Sequence, residues 1–273
     1  MRAISLASWG GGPETKSGKS TYLKYSIIIP AYNEGERIAG SLGKILAYAG
    51  SRGWQGEILV VNDGSSDDTP ALVEEFAKKH AEVKLLQNPG NRGKGYSVRN
   101  GMLQATGEML LFTDADLSSP IAEASKLFGA IEQGADVAIG SRWLASQMQT
   151  QRQSLIRQVY GRVFNLVLRV ILGLSFKDTQ CGLKAFTRKA ANAIFPRQTI
   201  ERWGFDAELL VIAKELGLKV AEVPVEWAHD SRSKINPTLD GIRMFMETLA
   251  IRWNALTGKY KNPSFGADSA PPA

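Results

Sequence analysis

The sequence predicts an α/β protein: a mostly parallel sheet with helices on both faces, followed by C-terminal amphipathic helices. Three observations carry that expectation. Short apolar runs of strand length alternate with helix-length stretches from Tyr25 to Gly140. Strands alternating with helices build a mostly parallel sheet whose faces the helices cover. Polar clusters then fall at the carboxyl ends of the runs, where open α/β sheets gather their ligands.

The elements follow in order. Tyr25 to Pro30 reads as a strand and Glu34 to Ala49 as a helix. Glu57 to Asn62 (EILVVN) is a buried strand, with a helix from about Asp68 to His80. Val83 to Gln87 is a strand and Lys94 to Ala105 a helix. Met109 to Phe112 is a short apolar strand that stops at Thr113-Asp114-Ala115-Asp116. A helix from Pro120 to Gln133 and a strand at Val137 to Gly140 follow. Residues 25–235 are expected to make one domain. Residues 1–24, rich in Gly, Ser and Lys, are expected to be flexible, and the 262–273 tail disordered. Gly12 to Ser20 resembles a phosphate-binding P-loop, but its first glycine comes one residue early and no strand precedes it, so it is set aside.

Composition bounds the function. With 273 residues the chain buries a substantial core. The 33 Lys+Arg exceed the 27 Asp+Glu and leave +6, compatible with an anionic partner such as a nucleotide sugar or an acidic lipid surface. The basic residues are scattered and do not form a stripe with aromatic platforms, which argues against nucleic acid. Cys181 is the single cysteine, so no intramolecular disulfide forms, and a reducing compartment fits. His80 and His229 are too isolated for a zinc site. The most apolar stretch, Val163 to Leu174, carries Arg169 and falls short of the roughly 20 residues a bilayer span needs. MRAISLASWGGG does not read as a signal peptide. The expected location is cytoplasmic, with any membrane contact peripheral.

Four strand ends form one constellation. In Pro30-Ala31-Tyr32-Asn33-Glu34, Tyr32 suits stacking on a base and Glu34 a ribose or base edge. In Asn62 to Thr69, Asp63 suits a pyrimidine N–H, while Asp67 or Asp68 suits capping of the next helix. Asn91-Arg92-Gly93-Lys94-Gly95 joins flexible glycines, a cation and a helix N-terminus, a combination fit for an anion. Asp114 and Asp116 set two hard oxygen ligands side by side. Mg²⁺ or Mn²⁺ holding a diphosphate uses such a pair and fills its remaining positions with phosphate and water. Alone, the pair reads more readily as acidic residues complementing a helix dipole than as a metal site. Together, four such clusters at neighbouring strand ends are more than turn chemistry.

PAYNE, VVNDGSSDDT, NRGKGYSVRNG and TDAD, in that order from about Tyr25 to Arg142, resemble the family 2 glycosyltransferases of GT-A, Rossmann-like fold. The resemblance implies an inverting transferase using a nucleotide-sugar donor and a divalent cation. It assigns Pro30, Tyr32, Glu34 and Asp63 to the nucleoside, and Asp114 and Asp116 to the metal and diphosphate. Gly93 and Lys94 fall near the nucleotide and Arg142 near phosphate. Further on, DTQCGLKAF (178–186), ERWGFDAELL (201–210) and Ser233-Lys234 resemble the dolichyl-phosphate β-glucosyltransferase branch, whose neighbour is the mannose synthase. Leu183 replaces the aromatic usual in that motif, and residues 1–24 do not resemble the N-terminal anchor of the eukaryotic members, so attachment by a span is not expected.

The branch implies UDP-glucose as donor and a polyprenyl, dolichyl-type phosphate as acceptor. A phosphate acceptor is already anionic near neutral pH, so cations that align two phosphates matter more than a base. Arg142 and Arg157 are the candidates for the acceptor phosphate because an arginine fork suits it. Arg152, Arg162, Lys184, Arg232 and Lys234 are further cations. Asp178 is the carboxylate to name if a base is used, and it reads equally as a turn residue. Asp206 and Glu208 read as supporting or acceptor-site residues. The alternatives are a GDP-mannose-dependent synthase, a hydroxyl acceptor, and a nucleotide-sugar-binding module without turnover.

Two helices bear on the lipid. Leu155 to Leu174 is apolar in its second half. In the C-terminal helix, within 236–261, Leu239, Ile242, Met246, Leu249, Trp253 and Leu256 form one apolar stripe with Arg243 and Arg252 off it. That stripe serves either as packing against the domain or a second subunit, or as a membrane-interfacial face. Oligomeric state is not legible.

Overall fold

The computed structural model describes residues 24–144, 165–228 and 239–261, with the backbone alone for 239 and 240. Seven strands form one sheet in the order β3-β2-β1-β4-β6-β5-β7. β1 (Tyr25–Ala31), β2 (Gly56–Asn62), β3 (Val83–Gln87) and β4 (Met109–Phe112) are parallel neighbours. β5 (Val137–Ser141) and β7 (Val220–Pro224) pair in parallel at the other side. Between these groups lies β6 (Lys184–Thr187), antiparallel to both β4 and β5. The expectation of a mostly parallel sheet holds, as do its first five strands.

The central strands are apolar on both faces because both are covered. Ile28, Leu59, Val61, Leu110 and Phe112 join one core, while Ile27, Ile29, Ile58, Val60, Met109 and Leu111 join the other. The first core is closed by α3 (Lys94–Gln104), α6 (Arg188–Ile194) and α7 (Phe205–Glu215). The second is closed by α1 (Ile38–Ser51), α2 (Thr69–Lys79) and α4 (Ala124–Glu132). A helical stretch at 165–172, α5, and the C-terminal helix α8 (Leu239–Leu256) complete the described α-helices.

α1 starts four residues later than its pattern suggests. Asn33 is left-handed (φ 53°), the Glu34 N–H donates to Thr69 Oγ1 at 2.7 Å, and Asp67 accepts from the Gly35 N–H at 2.9 Å. These bonds to the β2–α2 loop hold residues 32–37 as a turn. β6, β7 and α7 were not singled out by periodicity. β6 is only four residues long and contains the buried Lys184, and β7 is a half-buried edge strand, so neither gives a clean pattern.

α8 packs by its less apolar side. Thr248, Ile251 and Asn254 are buried, and Glu247 accepts from the Gly204 N–H at 2.8 Å. Ile242, Phe245, Met246, Leu249, Trp253 and Leu256 are all exposed. The apolar stripe read from the sequence therefore points away from the domain. Among the described residues no helix is long and apolar enough to cross a membrane.

Candidate active site at the strand edge

The carboxyl ends of β1, β2, β4 and β5 lie on one edge of the sheet. Because β6 runs the other way, the residues that precede it arrive at the same edge, with Lys184 in register with Phe112. The sequence clusters at residues 30–34, 62–69, 91–95 and 114–116 thus meet residues 178–184.

The first two loops are laced together. The Asn33 N–H donates to Ser65 Oγ at 2.9 Å, and Asn33 Oδ1 accepts from the Ser66 N–H at 2.8 Å. Tyr32 is exposed on this rim, Pro30 is half-buried, and Glu34 forms an ion pair with Arg37. Asp63 is buried and accepts from Asn88 Nδ2 (2.8 Å), the Arg92 N–H (2.9 Å) and the Gly93 N–H (2.8 Å). It thereby shapes the loop that presents Lys94. Gly93 is needed there: its φ is 112°, and a Cβ would lie 2.6 Å from the Glu201 carbonyl. Asp67, rather than Asp68, caps the α2 entrance through the Thr69 N–H at 3.0 Å.

Asp114 and Asp116 are held in a tight loop. Leu117 is left-handed (φ 48°), the Ser118 N–H donates to Asp116 Oδ1 at 2.8 Å, and Ser41 Oγ donates to the Ala115 carbonyl at 2.6 Å. With Asn33, Leu117 is a non-glycine residue in a costly conformation, and both sit on this edge. Burial, reinforced by the neighbouring Asp114 charge, pushes the Asp116 carboxyl above its usual range. Lys94 Nζ lies 2.5 Å from Asp114 Oδ1. Burial pulls the Lys94 ammonium down, but Asp114, Asp206 and Asp116 more than reverse this and hold it at about 12. The ammonium also lies 5.7 Å from the Trp203 ring and 5.8 Å from that of Phe205.

A second pair lies at the end of β5. Arg142 donates to Asp178 through its backbone N–H (3.0 Å), Nε (2.7 Å) and Nη2 (2.9 Å). The guanidinium lies 5.8 Å from Trp143 and 5.6 Å from Trp227. Burial disfavours both charges, yet each partner outweighs it, so Arg142 is raised and Asp178 lowered. Between the two pairs, buried Lys184 is ion-paired with Asp206 and donates to the Cys181 carbonyl at 2.7 Å. Asp206 acts electrostatically on both Lys94 and Arg142. Burial pushes the Cys181 thiol up to about 11, which leaves it packed and unreactive.

Glu208 stands outside this cluster. It is fully buried and accepts from the Thr199 and Ile200 N–H groups (2.9 and 2.8 Å), Thr199 Oγ1 (2.6 Å) and the Tyr260 hydroxyl (2.8 Å). It fixes the 198–201 segment, which braces the 91–95 loop through Arg92–Glu201 (2.7 Å) and a Tyr96 N–H bond to the Glu201 carbonyl (2.9 Å). Arg157 and Lys234, with Arg152, Arg162, Arg232 and His229, lie outside the described residues.

Gly182 lies within the 178–186 motif, which by itself gives it no role. A Cβ there would lie 2.0 Å from Asp114 Oδ2, so this glycine makes the space that Asp114 occupies. The two tryptophans beside Arg142 and the one beside Lys94 were likewise not anticipated. Among the described residues no three or more His, Cys, Asp or Glu side chains are grouped to hold a metal. The Asp114/Asp116 pair fits a hard divalent cation that completes its shell with substrate phosphate and water. Its crowded negative charge, already attracting the Lys94 ammonium, favours such a cation.

The Glycosyl transferase family 2 model matches residues 26–195. A dolichyl-phosphate β-glucosyltransferase, ALG5C, of Trichomonas vaginalis is 40% identical over 223 residues, 77% of this chain and 66% of that protein. The dolichyl-phosphate β-glucosyltransferase of Drosophila melanogaster is 36% identical over 255 residues, 89% and 78% of the two chains. Among solved structures, glucosyl-3-phosphoglycerate synthase of Mycobacterium tuberculosis, crystallised with Mn²⁺ and UDP-glucose, shares the fold at a TM-score of 0.59 and 20% identity, covering 90% of this chain and 85% of that one. The strand-edge motifs, the GT-A-like sheet and these matches agree: the chain belongs to glycosyltransferase family 2 and is an enzyme of that class.

Proposed function

We propose that the protein transfers glucose, with inversion, from UDP-glucose to a dolichyl-type polyprenyl phosphate at the cytoplasmic face of a membrane. The observation that carries this is the strand-edge pair Asp114/Asp116 facing Lys94, in a chain similar over most of its length to dolichyl-phosphate β-glucosyltransferases. Asp114 and Asp116 would hold Mg²⁺ or Mn²⁺, which when bound supplies Lewis-acid stabilisation of the leaving diphosphate. Pro30, Tyr32, Glu34 and Asp63 receive the nucleoside, with Gly93 and Lys94 beside its phosphates. Arg142 faces the acceptor phosphate and is aimed by Asp178. A carboxylate with so lowered a proton affinity is a poor base, which suits an acceptor already ionised. Arg157 and Lys234 are assigned to acceptor and donor phosphate from the sequence alone.

The test is transfer by the purified chain with Mn²⁺, a short polyprenyl phosphate, and UDP-glucose or GDP-mannose, with the anomer of the product read by NMR. Transfer from UDP-glucose giving the β-anomer is expected. Asp116→Asn should lower turnover by about a thousandfold or more, the scale of several kcal/mol of lost charge stabilisation, at an unchanged melting temperature. Retained turnover removes the metal role. Tight UDP binding without transfer from either donor replaces the reading with a binding module.

A lipid surface as partner is supported by α8. At about 100° per residue its exposed apolar side chains lie on one stripe, with Arg243 and Arg252 on opposite flanks. In α5, Leu166, Val167 and Val170 are exposed as well. The chain should cosediment with anionic liposomes, and a Met246→Ser/Trp253→Ser variant should do so several-fold less, since each removes apolar surface from the bilayer contact. Equal pelleting of variant and wild type rejects this partner.

A further inference from the structure

The Lys94–Asp114 contact has a role beyond placing a cation near phosphate. Lys94 is the first residue of α3, where the helix dipole disfavours a positive side chain and favours an anion. Gly93 and the Asp63 bonds nevertheless fix the chain so that Lys94 starts there. Its ammonium is satisfied by Asp114, the carboxylate that Gly182 leaves room for. Asp206, the other nearby acid, is already ion-paired with Lys184. The Lys94 side chain is 17% exposed and Asp114 34%, so the contact is reached from solvent on its carboxylate side. A lysine ammonium on a flexible stem can leave such a partner at small cost.

We infer that Lys94 is a built-in counter-ion for Asp114 that keeps a divalent cation off the aspartate pair until a nucleoside diphosphate arrives to take the ammonium. This rests on the donor site proposed above and adds an order to it. While Lys94 holds Asp114 Oδ1, a free cation meets an ammonium at its own ligand. A diphosphate gives Lys94 and the α3 N-terminus the anion that position lacks, and its oxygens join the freed Asp114 around the cation. Lys94 is thus a positioning residue: it makes metal binding conditional on nucleotide.

Calorimetric titration with Mn²⁺, with and without saturating UDP, tests this on the full chain and on Lys94→Met and Lys94→Gln. Wild type should bind Mn²⁺ weakly alone and at least about tenfold more tightly with UDP. In both uncharged variants affinity for Mn²⁺ alone should rise by about tenfold, the effect of removing one like charge from a partly buried site, while affinity for UDP alone falls. Lys94→Arg, which keeps the charge, should retain weak binding of Mn²⁺ alone. If a folded Lys94→Gln or Lys94→Met variant binds Mn²⁺ alone no more tightly than wild type, while UDP still promotes Mn²⁺ binding to wild type, the counter-ion role is overturned and the donor site stands. If UDP does not promote Mn²⁺ binding to wild type, both fall.

Discussion

Two cation–carboxylate pairs stand on one sheet edge, and they are built to opposite ends. Arg142 and Asp178 are joined by two side-chain bonds and one backbone bond, and Asp178 is only 1% exposed. Its oxygens also accept from the Gln180 N–H, so little freedom remains. Lys94 and Asp114 meet through one short contact whose carboxylate side, with Asp114 34% exposed, is open to solvent. A fork with two bonds, backed by a backbone bond, fixes a direction, whereas an ammonium with one bond can exchange partners. One pair is therefore fixed in direction, and the other is able to exchange partners.

The difference can be broken from either side. The largest effect should follow Asp178→Asn, which leaves the half-buried Arg142 charge uncompensated. Breaking such a pair costs about 3 kcal/mol, or roughly 10 °C in melting temperature for a domain of this size, read by thermal denaturation. A melting point within a degree or two of wild type would show that the pair is not the fixed one. Gly182→Ala comes next. Its Cβ would displace Asp114 from a position 2.0 Å away, but a carboxylate can rotate aside, so stability should fall by only about 1 kcal/mol. Binding of UDP with Mn²⁺ should weaken by about tenfold, equivalent to 1.4 kcal/mol, and an unchanged affinity rejects the packing role.

The smallest effect is a pH dependence. The Asp178 carboxyl is held below its ordinary 3.8, so between its folded value and 3.8 the native state binds fewer protons than the unfolded chain. Its stabilising contribution is complete above 3.8 and is lost as pH falls through the folded value. The stability gap between wild type and Asp178→Asn should therefore be constant near neutral pH and narrow only below about 3.8, checked by urea denaturation across the acid range.

The first half of the sheet was legible because β1 to β5 are local runs with polar ends, so spacing alone places residues 30–34, 62–69, 91–95 and 114–116 on one edge. The pairing of Arg142 with Asp178 was not. Those residues are 36 apart in sequence and meet only because β6 returns between β4 and β5 in the reverse direction. Asp178 therefore read equally as a base or a turn residue until its partner was seen. Gly182 gave no signal of its own, since a glycine beside a motif does not say which atom fills the space it leaves. The α8 stripe was found by periodicity, but periodicity cannot tell what faces it. Its outward direction is set by the docking of Glu247, Thr248, Ile251 and Asn254.

Tyr260 has a consequence for how the enzyme is made. Its hydroxyl completes Glu208, and Glu208 fixes the segment that braces the Lys94 loop. A chain emerging from the ribosome delivers its N-terminal parts first. It has therefore presented every strand of the sheet, and both members of both pairs, before Tyr260 exists. Residues 91–95 are among the earlier ones synthesised, yet the 198–201 segment that braces them gains its last bond through Glu208 only with Tyr260. During translation the nascent protein can thus carry a finished sheet and a 91–95 loop already shaped by Asp63, while the last bond to Glu208 waits for the segment after α8.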